Sequence, residues 1–195
     1  MKQRSAVINR KTQETSISLA LNLDRPGDVS ISTSIAFMDH MLTLFASHGM
    51  FGLRIKASGD THIDDHHLVE DLGIALGQAL AQALGDKKSI VRYGNFLLPM
   101  DEALSYVALD LSGRPFLSYE VPFTMRPKGF DFDLVQEFFS SLVANARITL
   151  HVRMIKGRNN HHIAESLFKG FARALSNAVA INRKQAGIPS TKGRL

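Results

Sequence analysis

Two histidines and a glutamate recur in this chain at one spacing. His66-His67 with Glu70 reads HHxxE, and 95 positions later His161-His162 with Glu165 reads the same way. The likeness extends past the motif. Residues 66–80 laid on 161–175 share six identities: the three motif residues, Leu72/Leu167, Ala79/Ala174 and Leu80/Leu175. A self-match at a fixed offset marks a copied supersecondary unit. Both copies open an amphipathic helix; after His66 the apolar residues fall at Leu68, Val69, Leu72, Leu76, Ala79, Leu80 and Ala83, with Gly85 as a stop. On a helix, residues four apart share a face while neighbours are turned by about 100°. His66 and Glu70 can therefore grip one object while His67 points at another. His161 pairs with Glu165 in the same way, leaving His162. If the halves pack about a pseudo-twofold axis, two equivalent metal sites follow, one from His66, Glu70 and His162, the other from His161, Glu165 and His67. A single His-His doublet at a helix start is more often capping and polar surface. The repeated doublet with its glutamate makes metal binding the better reading.

The elements that must position these groups also come in two sets. Residues 5–10, 15–21 and 28–35 alternate apolar and polar, with Arg25-Pro26-Gly27 as a turn, and read as three antiparallel strands. Phe37 to Gly49 reads as a helix, Leu53 to Ala57 as a strand and Ser58-Gly59-Asp60 as a turn before the first motif helix. In the second half, Tyr106 to Leu111 and Phe116 to Val121 read as strands broken by Gly113-Arg114-Pro115. Phe132 to Ala146 reads as a helix, Ile148 to Met154 as a strand and Gly157-Arg158-Asn159 as a turn, and His161 to about Asn182 is the second motif helix. Residues 86–104 show no clean period. The expected fold is α+β: a duplicated unit of antiparallel strands plus two helices, packed as a pseudo-twofold pair with the helices between two sheets. The repeats span about 1–90 and 91–182 of a single domain, and 183–195 is a polar tail whose composition alone suggests a frayed end.

The 195 residues suffice for one buried core. An apolar content of 45% and a charged content of 21% are those of a globular protein. With no cysteine there is no disulfide, thiolate zinc or iron–sulfur cluster. The N-terminal residues lack an apolar stretch and no run is long enough to span a bilayer, so a cytoplasmic protein without membrane contact is expected. The net charge of +5 comes from scattered Lys and Arg without an aromatic array, which argues against nucleic acid. Basic residues converging on one small phosphate account for part of the excess.

Each site needs more ligands than His-His-Glu. His40 lies in the helix 26 residues before His66, and Glu137 lies 24 before His161, so the two can be counterparts. Imidazole and carboxylate without thiolate suit Mn, Fe, Co, Ni or Zn. His62 and His151, just ahead of the two motifs, are candidates for orienting ligands from outside.

The stretches His62-Ile63-Asp64-Asp65-His66-His67-Leu68-Val69-Glu70-Asp71-Leu72-Gly73 and Gly157-Arg158-Asn159-Asn160-His161-His162-Ile163-Ala164-Glu165 resemble the two signatures of the imidazoleglycerol-phosphate dehydratase family. Phe37-Met38-Asp39-His40-Met41-Leu42, Asp110-Leu111-Ser112-Gly113-Arg114-Pro115 and Pro189-Ser190-Thr191-Lys192-Gly193 resemble further segments of it, so the likeness covers nearly the whole chain. The resemblance implies a histidine-biosynthesis enzyme that converts imidazole glycerol phosphate to imidazole acetol phosphate with two Mn2+ per active site. It implies one ion on His40, His67, His161 and Glu165, and the other on His66, Glu70, His162 and residue 137. Members carry His there, whereas this chain has Glu137, still a competent hard ligand. It also implies a large cubic homo-oligomer of twenty-four subunits, with active sites at subunit contacts.

The chemistry implied is an elimination in which two metals hold the imidazole ring as an imidazolate, an electron sink that expels the hydroxyl through a diazafulvene-like intermediate. Glu14 matches the family's general base; without the resemblance it reads as a solvated turn residue. Arg92, Arg114, Lys169, Ser190, Thr191 and Lys192, with His48, match the phosphate-binding set. Two other classes fit the residues alone. A dinuclear phosphoester hydrolase would release free phosphate. A metal-storage protein would not depend on Arg92 or Arg114.

Overall fold

The computed structural model describes residues 3–123 and 129–195. β1 (Ser5–Lys11) and β2 (Thr15–Asn22) form a hairpin; β3 (Val29–Ser32) leads through α1 (Ala36–Gly49) to β4 (Gly52–Gly59), and α2 (His66–Leu84) ends the first half. The second half repeats the order with β5 (Tyr93–Met100), β6 (Ala103–Asp110), β7 (Phe116–Glu120), α3 (Leu134–Ala146), β8 (Thr149–Lys156) and α4 (Asn160–Val179). Each half makes a four-stranded sheet with equivalent order, β1-β2-β4-β3 and β5-β6-β8-β7. This is the duplicated α+β architecture that the repeated pattern implies.

The strands are not all antiparallel. β3 pairs with β4, and β7 with β8, in parallel, so β3 does not join β2 in a meander. The reason is the helix between each pair, because a strand–helix–strand crossover returns the chain in its starting direction. Strands β5 and the start of β6 occupy the stretch without a clean period. Their alternation is hidden because exposed positions carry Tyr93 and Leu97 while a buried one carries Gly94. The motif helix ends at Val179, short of Asn182, and Ile181 makes an isolated bridge to Ile90.

The helices fill the space between the sheets. α2 lies on β1, β2 and β4, and α4 on β5 and β6. Across the halves α2 packs on α3 and α1 on α4, so the halves share one core, with the rings of Phe45, Phe139, Phe168 and Phe171 in contact within it. Glycines permit the closest approaches. A Cβ on Gly73 would stand 2.5 Å from the Phe138 carbonyl oxygen, and one on Gly77 2.6 Å from that of Leu142. Both contacts advance in the same direction, so α2 and α3 run alongside each other with their N-terminal ends together.

The tightest approach is at Gly94, where a Cβ would meet the Ala174 carbonyl oxygen at 1.9 Å. That oxygen is backbone and cannot swing aside. Gly94→Ala must push β5 off α4 and is expected to cost about 3 kcal/mol or more, the upper range for overpacking. Denaturant unfolding of the variant against the parent measures this.

The offset between the repeats varies along the chain. It is 88 for the hairpins (Thr15 and Ala103), 97 for the last strands (Gly52 and Thr149) and 95 for the motif helices (His66 and His161). α1 and α3 both end on a left-handed residue, Met50 and Arg147, and His40 and Glu137 each lie ten residues before it. They hold the same place in the two halves, as their sequence positions suggest. By the hairpin offset, Glu102 is the counterpart of Glu14.

Candidate active site

The first histidine of each motif is held by the same kind of contact. Asp64 Oδ1 accepts the His66 N–H at 2.8 Å, and Asn159 Oδ1 accepts the His161 N–H at 2.9 Å. These caps satisfy free helix-end donors and fix the doublets in the first turn. Each doublet is splayed: the rings of His66 and His67 are 6.2 Å apart and near perpendicular, as are those of His161 and His162 at 6.3 Å. The two imidazoles of a pair thus face different surroundings, as helix geometry demands.

One face of α4 meets α1. His40 Nε2 lies 2.8 Å from Glu165 Oε1 and His161 Nε2 lies 3.2 Å from the same oxygen. All three ligand atoms fall within 4.8 Å of one another. The His40 and His161 rings stack at 5.5 Å, and Phe37 braces His161 edge-on at 5.7 Å. Burial of Glu165 opposes its ionisation, but Lys169, at 2.5 Å from Oε2, and His40 outweigh it and hold the carboxyl down at about 2. A carboxylate between two imidazoles is a donor set that suits a borderline or hard divalent ion such as Mn2+. The residues present fit the metal.

The other predicted ligands lie elsewhere in a single chain. His67 Nδ1 lies 3.0 Å from Asp60 Oδ2 and 3.9 Å from Glu14 Oε2, and these three form a second cluster. Asp60 raises the His67 pKa. His162 Nδ1 lies 2.7 Å from Glu102 Oε2, which raises the imidazole pKa and draws the Glu102 carboxyl down to about 2. Among the described residues, the ligand atoms of His66, Glu70 and Glu137 do not close to within 4.8 Å, although the parallel packing of α2 and α3 brings the helix starts that carry them side by side. The imidazoles of His67 and His162 do not join the ligand cluster of the opposite motif within one chain. His40, from α1, is instead the first-half residue that joins His161 and Glu165.

The predicted phosphate residues divide into two groups. Arg92, Arg114, Ser190, Thr191 and Lys192 line a cavity of about 700 Å³, together with Arg194. Within it Arg92 is a strut: Asp110 takes its Nε and Nη2 at 2.7 and 3.0 Å, and the Pro189 carbonyl takes Nη1 at 2.9 Å. The tail that composition alone suggests is frayed is thus tied to the body, also through Ser89 N–H to the Gly187 carbonyl at 2.8 Å. Lys169 and His48 do not line this cavity. Lys169 joins Glu165 to Met100 Sδ at 3.5 Å, and burial, Lys169 and Arg173 lower the His48 pKa.

Sequence reasoning missed Asp60, Glu102 and Arg194. Spacing gave no signal for the first two, which reach their histidines only through folded turns. Arg194 follows Lys192 by two residues and could have been read with it. His62 and His151, expected as outer partners, stand apart: His62 is exposed on a turn and His151 packs on Phe116 at 5.6 Å.

Two equivalent α+β halves packed in this way are also the fold of solved dehydratases. The solved imidazoleglycerol-phosphate dehydratase of Staphylococcus aureus superposes with a TM-score of 0.83 at 41% identity, covering 91% of this chain and 99% of that one. The one from Pyrococcus furiosus gives 0.84 at 37%, covering 96% and 100%. The class is therefore a hydro-lyase of duplicated α+β fold. The imidazoleglycerol-phosphate dehydratase family model matches residues 33–175, and the chain belongs to that family. Relatives of that name from Endomicrobium trichonymphae and Methylorubrum populi are 64% and 56% identical, over 100% and 98% of this chain and the full length of each relative.

Proposed function

We propose that the enzyme dehydrates imidazole glycerol phosphate to imidazole acetol phosphate with two Mn2+ ions, and that Glu14 is its general base. The observation that carries this reading is the convergence of His40, His161 and Glu165, drawn from both repeats. Bound there, metal would supply Lewis acidity to the imidazole ring nitrogens. His40, His161 and Glu165 with a His67 would hold one ion, and His66, Glu70 and Glu137 with a His162 would hold the other. His67 stands with Asp60 and Glu14 in its own chain, so the His67 at each cluster comes from another copy in a homo-oligomer, for which twenty-four subunits is the family-derived expectation. No helix among the described residues is long and apolar enough to cross a membrane, and we place the enzyme in the cytoplasm.

Glu14 is exposed on the β1–β2 turn, with its carboxylate 3.9 Å from Nδ1 of His67, beside a ligand of the proposed metal site. It accepts the proton of the carbon next to the one that bears the departing hydroxyl; the C–O bond beside the ring breaks, the hydroxide takes that proton from the Glu14 carboxyl and leaves as water, and the enol then becomes the ketone. Arg114, Lys192, Ser190 and Thr191 hold the phosphate, and Arg92 keeps the tail in place. Lys169 pairs with Glu165 and brings its positive charge to that end of the site, while His48, whose pKa is lowered by burial, Lys169 and Arg173, stands nearby as a neutral imidazole. Lys192→Ala is expected to raise KM more than it lowers kcat, because phosphate is bound equally in ground and transition states. Steady-state kinetics separates the two. Product analysis tests the reaction itself: a new ketone with phosphate retained supports it, and release of inorganic phosphate would establish the hydrolase reading instead.

A further inference from the structure

Glu14 and Glu102 hold equivalent places on the two hairpin turns, yet their surroundings differ. Glu102 is spent. It is 2.7 Å from His162 Nδ1 and accepts the backbone N–H groups of Asn159 at 2.8 Å and Arg158 at 3.3 Å. Glu14 stops 3.9 Å from His67 Nδ1, beyond hydrogen-bond range. The difference lies in the link between the last strand and the motif helix. It runs seven positions from Gly59 to His66 but four from Gly157 to His161. The longer link places Asp60 after its glycine, where the shorter one has Arg158. Asp60 Oδ2 takes His67 Nδ1 at 3.0 Å, and the Asp60 N–H donates to the Glu14 carbonyl at 3.2 Å.

A second asymmetry steadies the same turn. Buried Asp71 accepts Arg10 Nε at 2.9 Å and a short hydrogen bond from Thr15 Oγ1, which lies 3.1 Å from Thr12 Oγ1. Thr12 Oγ1 in turn accepts the Glu14 N–H at 3.1 Å. In the other half the equivalent places hold Leu98, Ala103 and Ser166, and no such brace is built.

We propose that Asp60 is a positioning residue: by occupying Nδ1 of His67 it keeps the Glu14 carboxylate from docking there as Glu102 docks on His162, and so leaves only the first hairpin's glutamate available to the substrate. The same contact presents Nε2 of His67 outward, as carboxylate–histidine pairs commonly do for a metal ligand. This rests on Glu14 being the base.

The test uses the assembled enzyme, with manganese affinity of the apo form measured by calorimetry beside turnover. In Asp60→Ala, Glu14 takes over His67 Nδ1. Turnover is expected to fall about 10²-fold, the loss of a general base, while manganese binding is retained. Asp60→Asn keeps an oxygen acceptor in place and should stay within a few-fold of the parent. The double variant Asp60→Ala/Glu14→Ala should be no slower than Glu14→Ala alone at saturating manganese, but should bind manganese about 10–100-fold more weakly, because no acceptor is left for Nδ1.

Parent-like turnover in Asp60→Ala, loss of metal in that single variant, losses that multiply in the double variant, or an Asp60→Asn enzyme as slow as Asp60→Ala would each overturn the proposal. Failure of the underlying base assignment shows separately, as near-normal turnover in Glu14→Gln with Asp60 intact.

Discussion

Replacing His161 by alanine is expected to abolish measurable turnover and to remove manganese from its cluster. His161 is one of two imidazoles within 3.2 Å of Glu165 Oε1, and its ring is held between His40 and Phe37. Loss of a direct ligand should exceed the roughly 10–100-fold drop in metal affinity that follows loss of an outer partner. The fold should be spared. The helix cap uses the backbone N–H of residue 161, which alanine retains, and Lys169 still pairs with Glu165. Unfolding free energy should therefore stay within about 0.5 kcal/mol of the parent, as for other surface changes. Calorimetry with manganese, denaturant unfolding and detection of the ketone product read the three quantities separately. An unfolded His161→Ala chain would mean that the imidazole is a packing element first.

Glu14→Gln should do the opposite to the metal and nearly the same to the rate. Its carboxylate lies 3.9 Å from His67 Nδ1 and makes no hydrogen bond to it, so neutralising it leaves the Asp60–His67 contact intact. Manganese should bind as in the parent. Turnover should fall by about 10²-fold or more, the usual contribution of general acid–base catalysis. KM should move little, because the phosphate cavity on the other hairpin and tail is untouched. Near-normal turnover in Glu14→Gln would send the base assignment elsewhere.

Much of this protein is legible without coordinates because duplication repeats its signals. The four helices and the strands flanking them announce themselves by period, and the splayed doublets follow from a turn of about 100° per residue. The exceptions have two causes. A strand reads poorly when its buried face is glycine, as at Gly94, where the partner is the backbone of α4 and not a side chain. Pairing direction is equally silent, because alternation says which residues face inward and nothing about the neighbouring strand; β3 runs parallel because α1 returns the chain.

By itself, the sequence determined the repeat, the α+β class, the two His-His-Glu motifs and the correspondence of His40 with Glu137, all of which depend on residue type and local spacing. Only the tertiary structure decided which histidine meets which carboxylate. Helix α1 crosses to α4 and α2 to α3, so His40 joins His161 and Glu165, while the longer link after β4 hands His67 to Asp60. Those pairings depend on where helices cross and how long a turn is, and a side chain's reach of a few ångströms makes such placement decisive.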